Sequence, residues 1–292
     1  MTNQITRRSL FRGLGAAAVG LSLAGCSRTD TGDTTGGAGG DLLERAREEG
    51  VLKVAIGNEP PYTKMEGDTV TGAEPDVLRA VAKRLGIGDL EGVTTAYESM
   101  IPGLQAGRWD VVAAGLFMKE SRCAEVAYSE PVIVSTESFA VPPGNPKDIK
   151  TVQDIIDNPE LRVGVLPGAF EEGILESAGV PKAQWVSVPD GRGGISAVEA
   201  GRADAFFLPT LSLEALAEDD SNFEITDVVA DAPKTGSGAA FRKDATKMVE
   251  EYNKELKAFK QTDEFTEIMT KWGFDPEAPK TVTAEELCRN DG

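Results

Sequence analysis

Histidine is absent from this 292-residue chain, and cysteine occurs only three times. Without histidine there is no imidazole acid or base, no Ser-His or Cys-His nucleophile pair, and no histidine-containing metal site. Three cysteines cannot build a four-cysteine zinc site. Positive charge is also scarce: 30 Lys and Arg stand against 48 Asp and Glu, a formal net charge of −18. A nucleic-acid binder needs a basic surface to displace counterions, so DNA and RNA are excluded as main partners. Beyond the first 25 residues no apolar run is long enough to cross a bilayer. What the chain does have is apolar material, 40% of its residues, which suffices for a folded core. Chemistry is left to carboxylates, Lys and Arg, Tyr and Ser or Thr. Binding without catalysis, with no metal and no cofactor, becomes the first hypothesis.

The amino terminus reads as a targeting segment. Arg7-Arg8-Ser9-Leu10-Phe11-Arg12 precedes an uncharged stretch from Gly13 to Gly25, too short for a membrane span and suited to a signal-peptide core. Thr6 to Phe11 resembles a twin-arginine export signal, and Leu23-Ala24-Gly25-Cys26 resembles a bacterial lipobox. The resemblance implies cleavage after residue 25 and lipidation of Cys26. The product is then extracytoplasmic, touching the membrane only through its anchor. Cleavage removes Arg7, Arg8 and Arg12 and no acid, leaving 27 basic residues against 48 acidic ones. Residues 26–40, rich in Gly, Thr and Asp, are expected to be a flexible spacer.

With Cys26 set aside, Cys123 and Cys288 remain. An exported protein can pair them, the alternative being two separate buried thiols. We expect the pair, which ties the tail to a loop in the first half of the chain.

From residue 41 onward, β-rich runs alternate with amphipathic stretches. Strands are expected at Val51–Ile56, Val93–Tyr97, Val111–Ala114, Arg162–Val165, Trp185–Val188 and Ala203–Leu208. Helices are expected at Glu74–Leu85, Ile101–Ala106, Phe170–Ala178, Ile195–Ala200, Ser212–Ala217, Ala245–Lys260 and Glu264–Trp272. Val132–Val141 and Gly236–Phe241 read as extended. The alternation implies an α/β fold with mostly parallel sheets. Two such cycles suggest two lobes: 41–141, then 142–235, with 236–292 returning to the first. A ligand cleft is expected between the lobes, beyond the carboxyl ends of the strands.

Three segments occur in order: Gly57-Asn-Glu-Pro-Pro-Tyr62, Ile101-Pro-Gly-Leu-Gln-Ala-Gly-Arg-Trp-Asp110 and Ala114-Gly-Leu-Phe-Met-Lys-Glu-Ser-Arg122. Together they resemble the solute-binding proteins of polar amino-acid ABC importers. The resemblance implies a two-lobed, type II periplasmic-binding-protein fold with two connecting strands. Glu59-Pro-Pro-Tyr62, Gly115 to Cys123 and Glu285-Glu-Leu-Cys288 look closer to the ectoine and hydroxyectoine branch. That likeness implies Glu59 on the ligand ring nitrogens, aromatic walls from Tyr62, Tyr97 and Phe117, Gly115 in the same wall, and Arg122 on the carboxylate. The chemistry is coherent. A delocalised amidinium suits aromatic faces, and a planar carboxylate suits a bidentate guanidinium.

Two departures from ordinary amino-acid binders point the same way. Phe117 stands where a carboxylate-binding Thr is usual. Pro209 stands where an Asp usually takes the α-ammonium, and Asp204 reads as a structural turn residue. In the second lobe, Gly168 and Ala169 are expected at a helix N-terminus that favours a carboxylate. Phe170 replaces the small polar residue expected of the ectoine branch; it either closes the aromatic box or packs between helices. The reading is a monomeric, lipid-anchored binding protein delivering a small zwitterion to ABC permease subunits. The alternatives are a polar amino-acid binder and, on the same fold, an exported dehydratase with Glu59 as its proton-transfer group.

Overall fold

The computed structural model describes residues 41–217 and 222–290. The export signal, Cys26 and the spacer lie outside the described residues.

Two five-stranded sheets organise the chain. In the first, the order is Asp89–Thr94, Val51–Ile56, Val111–Val112, Ala240–Phe241, Ala127–Tyr128. The first three strands are parallel, and Ala240–Phe241 runs antiparallel to its neighbours. In the second, the order is Trp185–Ser187, Val163–Val165, Ala205–Pro209, Glu137–Val141, Glu224–Ile225. Here Glu137–Val141 is the antiparallel member. We call the regions around them the first and second lobes. Between them lies a two-stranded antiparallel ribbon, Ile133–Ser135 with Thr235–Ser237. One strand carries the chain out of the first sheet and the other carries it back. This is the type II periplasmic-binding-protein architecture that the family resemblance implies.

Local chemistry explains the elements beside the cleft. Val51–Ile56 buries Leu52, Val54, Ala55 and Ile56 and leaves Lys53 exposed, the pattern of a central parallel strand. The Ala73–Arg84 helix buries Val77, Leu78, Val81 and Ala82 on one face. Its acids, Glu74 and Asp76, stand in the first turn, and Lys83 and Arg84 in the last, as the helix dipole favours.

Three expectations need correction. The strand before Tyr97 is Asp89–Thr94, and Tyr97 opens the helix Tyr97–Gln105. Tyr97, Met100, Ile101 and Leu104 follow helical spacing, and helical packing of Met100 and Leu104 overrides the β preference of Val93 to Tyr97. The Val111–Ala114 run pairs only over Val111–Val112, because Gly115 at φ 66° turns the chain into the cleft. Helices Leu42–Glu49 and Val152–Asp157 are additions; Asp41 caps the first, and a Thr151–Asp154 capping box starts the second.

Candidate ligand-binding site

The loop after Val51–Ile56 is folded on itself. Thr63 N–H donates to Glu59 O at 2.9 Å, and Glu59 N–H donates to Thr63 Oγ1 at 3.2 Å. Ala73 N–H donates to Pro61 O at 3.0 Å, pinning the loop to the following helix. This holds Glu59 and Tyr62 at the carboxyl end of the first sheet. Tyr62 is buried, its hydroxyl bonded to Ser135 of the connecting ribbon. Its ring meets Phe117 edge-on, centroids 5.7 Å apart. Gly115 is required here: a Cβ would lie 2.8 Å from the Tyr62 ring. The Gly115 N–H donates to the buried Glu74 at 2.9 Å, and Ser237 of the ribbon bonds the other Glu74 oxygen.

Tyr97 turns its hydroxyl inward, 3.0 Å from Ala114 O and 3.2 Å from Glu59 Oε2. Arg122, on the short Glu120–Glu125 helix, is 6% exposed and donates from Nη1 to Phe117 O and from Nη2 to Gly168 O, both at 2.7 Å. The second contact crosses between lobes. A guanidinium has five N–H donors, so three remain for a carboxylate.

From the second lobe come Ala169, Phe170 and Glu171 at the start of the Phe170–Ser177 helix, with Leu208 and Pro209 at the end of the Ala205–Pro209 strand. They line, with Glu59, Tyr62, Tyr97, Gly115, Phe117 and Arg122, a cavity whose empty space, counting the part open to solvent, is about 280 Å³, little of it wide enough for a water molecule. Phe170 lines this cavity and stands edge-on to Phe117, centroids 5.8 Å apart. It therefore belongs to the cleft and not to a helix–helix contact alone. Gly168 and Ala169 sit at the helix N-terminus, but their N–H groups are engaged within the loop, to Glu172 Oε2 at 2.6 Å and to Leu166 O at 3.1 Å. In this structure those two N–H groups are therefore not open to a ligand carboxylate. Asp204 accepts the Arg162 N–H at 2.8 Å, at the far end of its strand from Pro209.

Two participants had no sequence signal. Ser212 Oγ donates to Glu59 Oε1 at 2.5 Å across 153 residues of chain. Glu171 reads in sequence as an ordinary acid of a helix first turn, yet it is 2% exposed on the cavity wall.

Charge in the site is unevenly held. Part of Glu59 reaches solvent, but its carboxyl is enclosed. Loss of hydration pushes its pKa to about 7, opposed by the Ser212 bond and reinforced by the Glu171 charge. Burial lowers the Arg122 pKa, yet a guanidinium keeps its charge. One fixed cation, one titrating carboxyl and several rings can hold a small zwitterion. Among the described residues no cluster of His, Cys, Asp or Glu has a geometry that could hold a metal ion.

The lobes touch where Gly168 faces Glu98. Gly168 has φ 74°, and a Cβ there would lie 2.8 Å from the Glu98 backbone. Gly168→Ala should therefore oppose closure as well as strain its own turn by about 1–2 kcal/mol. We expect ligand affinity to fall at least about tenfold, since each 1.4 kcal/mol is a factor of ten. Calorimetric titration, with small-angle scattering to follow closure, checks this. Unchanged affinity and compaction would show that the contact does not matter.

Residues 52–275 match the family described as bacterial extracellular solute-binding proteins, family 3. The chain is 34% identical over 266 residues to the probable amino-acid ABC transporter periplasmic-binding protein y4tE of Sinorhizobium fredii, covering 87% of this chain and 88% of the other. It is similar in structure to EhuB in complex with hydroxyectoine, with TM-score 0.81 and 43% identity over 84% of this chain and 97% of that one. An ancestral amino acid-binding protein, AncCDT-1, described as a precursor of cyclohexadienyl dehydratase, aligns with TM-score 0.70 and 25% identity, covering 79% and 98%. The two-lobed fold, the cleft and these matches agree: the chain belongs to the bacterial extracellular solute-binding proteins of family 3.

Proposed function

We propose that this protein is the solute-binding component of an ABC importer and that its ligand is ectoine, hydroxyectoine or a similarly built cyclic zwitterion. The observation that carries this is the make-up of one cavity. Arg122 offers donors to a carboxylate, and Tyr62, Phe117 and Phe170 offer ring faces and edges. Pro209 stands on the wall, where an amino-acid site needs an acid for a compact ammonium. A ring amidinium spreads its charge and suits aromatic surroundings, with Glu59 taking its N–H groups. The likeness to a hydroxyectoine-bound relative supports the same reading. Ligand held by the first lobe meets second-lobe contacts only on closure, so binding shifts the population toward the closed form that a permease would engage. The reading places the signal peptide at residues 1–25 and the lipid on Cys26. Fractionation should then find a Cys26→Ala variant released from membranes; equal retention would remove the anchor.

Calorimetry with ectoine, hydroxyectoine, glycine betaine, glutamine and arginine tests the ligand class. Ectoine-type zwitterions should bind best. Tight binding of glutamine or arginine, with none of ectoine or hydroxyectoine, would make it an amino-acid binder, as the name of the Sinorhizobium relative says of that protein.

Glu59 adds a pH signature. Its folded pKa of about 7 lies above its ordinary 4.5. In the unliganded protein the stability linked to this group is therefore present at low pH and is lost as pH rises through 4.5 toward 7. A cationic ligand favours the ionised form and reverses the sign for binding. Affinity should rise about tenfold from pH 6 to pH 8, with proton release near pH 6. Titrations in buffers of different ionisation heat measure it. A flat profile without proton release would place the cation elsewhere.

A further inference from the structure

Glu171 is a second acid on the cavity wall, from the lobe opposite Glu59, and nothing in the reading above uses it. Behind it lies Glu137, 1% exposed at the start of Glu137–Val141, two residues past the connecting ribbon. Glu137 Oε1 accepts the hydroxyl of Thr235, on the returning ribbon strand, at 3.0 Å. Its Oε2 is buried and makes no hydrogen bond, and the Glu137 and Glu171 carboxyls act on each other electrostatically. Two carboxyls facing each other in a dry interior cannot both ionise. The asymmetry of their surroundings decides which keeps the proton. Burial, followed by the Glu171 charge, pushes the Glu137 pKa well up, with the Thr235 hydroxyl opposing and the Glu59 charge adding to it. Glu171 is raised by burial too, but the Glu137 hydrogen bond and the charges of Arg122 and Lys119 favour its ionised form.

We propose that Glu171 is the second-lobe anchor for the ligand's positive end, taking one N–H of the cation while Glu59 takes another from the first lobe. Glu137 is the positioning residue: it keeps the shared proton and donates it in a hydrogen bond to Glu171. A cation bridged between carboxyls of opposite lobes draws them together, so recognition and closure become one event. The ligand class follows: cations carrying at least two N–H groups, such as a cyclic amidinium. A quaternary ammonium would leave both buried carboxyls unpaired, which a polar site rejects strongly.

The inference rests on the proposed reading only in giving the ligand a cationic end. The test is calorimetric titration of whichever member of the ligand panel binds the wild-type protein best. Glu171→Gln should weaken binding at least tenfold. Glu137→Leu, which removes the donor, should weaken it severalfold, and Glu137→Gln, whose amide donates the same bond, should restore most of the loss. Glu171→Gln within twofold of wild type, or Glu137→Gln no better than Glu137→Leu, overturns the proposal. If Glu171→Gln does not fold, the wild type decides: glycine betaine must bind at least a hundredfold more weakly than the best N–H-bearing ligand, and comparable affinity overturns it. Should that best ligand be an amino acid, the ectoine-type reading falls while the Glu171 comparison still stands on its own result. No binding of any panel member overturns both.

Discussion

Replacing Arg122 by Lys should weaken ligand binding by about a hundredfold even though the charge is kept. Arg122 does two things that one ammonium cannot do together. Its Nη1 holds Phe117 O in the first lobe, and its Nη2 holds Gly168 O in the second, each at 2.7 Å. Its remaining donors form a planar fork that matches a carboxylate. Lys has a single nitrogen on a flexible stem, so a bond to one carbonyl forfeits the other and the two-point contact with the ligand. A hydrogen bond to a charged group contributes about 1.5–3 kcal/mol, and 1.4 kcal/mol is tenfold in affinity. Loss of one such bond with partial loss of another gives the stated factor. Calorimetric titration of Arg122→Lys, with a thermal melt to verify folding, reads it. Affinity within twofold of wild type would remove Arg122 from the site.

Reduction of the Cys123–Cys288 bridge should destabilise the protein by about 2–5 kcal/mol and lower its melting temperature by about 10 °C. The two residues are bonded, with Cα atoms 5.9 Å apart and a sequence separation of 165. So long a loop is near the upper end of what the chain-entropy account allows. The bridge also adjoins the site. Cys123 follows Arg122, and the tail carrying Cys288 lies against both the Arg122 helix and the connecting ribbon. Glu120 N–H donates to Asn290 O at 3.0 Å, and Leu287 packs where a Cβ on Gly236 would lie 2.8 Å from it. Reduction should therefore cost affinity as well as stability. Calorimetric melts and titrations with and without a strong reductant test both effects. Two free thiols in the exported, unreduced protein, or an unchanged melt after reduction, would refute the account.

Much of the first lobe was legible in sequence because its signals are local. Val51–Ile56 is a short, nearly continuous apolar run that packs as a strand, and Glu59, Tyr62 and Arg122 lie within short motifs attached to such elements. The Ala73–Arg84 and Thr246–Phe259 helices carry their apolar stripes within three or four turns. Tyr97 was misplaced on a strand because Val93 to Tyr97 has strand-like residues, whereas the deciding factor is the burial of Met100 and Leu104 in the core cluster that also holds Trp109 and Val112.

The sequence by itself carried the alternation of elements, the motif residues of the first lobe, the proline at 209 and, on the expectation that Cys26 is lipidated, the two cysteines left to pair. Only the tertiary structure decided that Phe170 lines the cleft, that the Gly168 and Ala169 N–H groups are occupied, that Ser212 bonds Glu59, and that Glu171 lies on the cavity wall. The physical reason is distance along the chain. Glu59 meets Ser212 across 153 residues and Thr235 meets Glu137 across 98. No periodicity or capping rule extends beyond neighbouring turns, so such contacts exist only once two sheets are folded and the ribbon between them sets their approach.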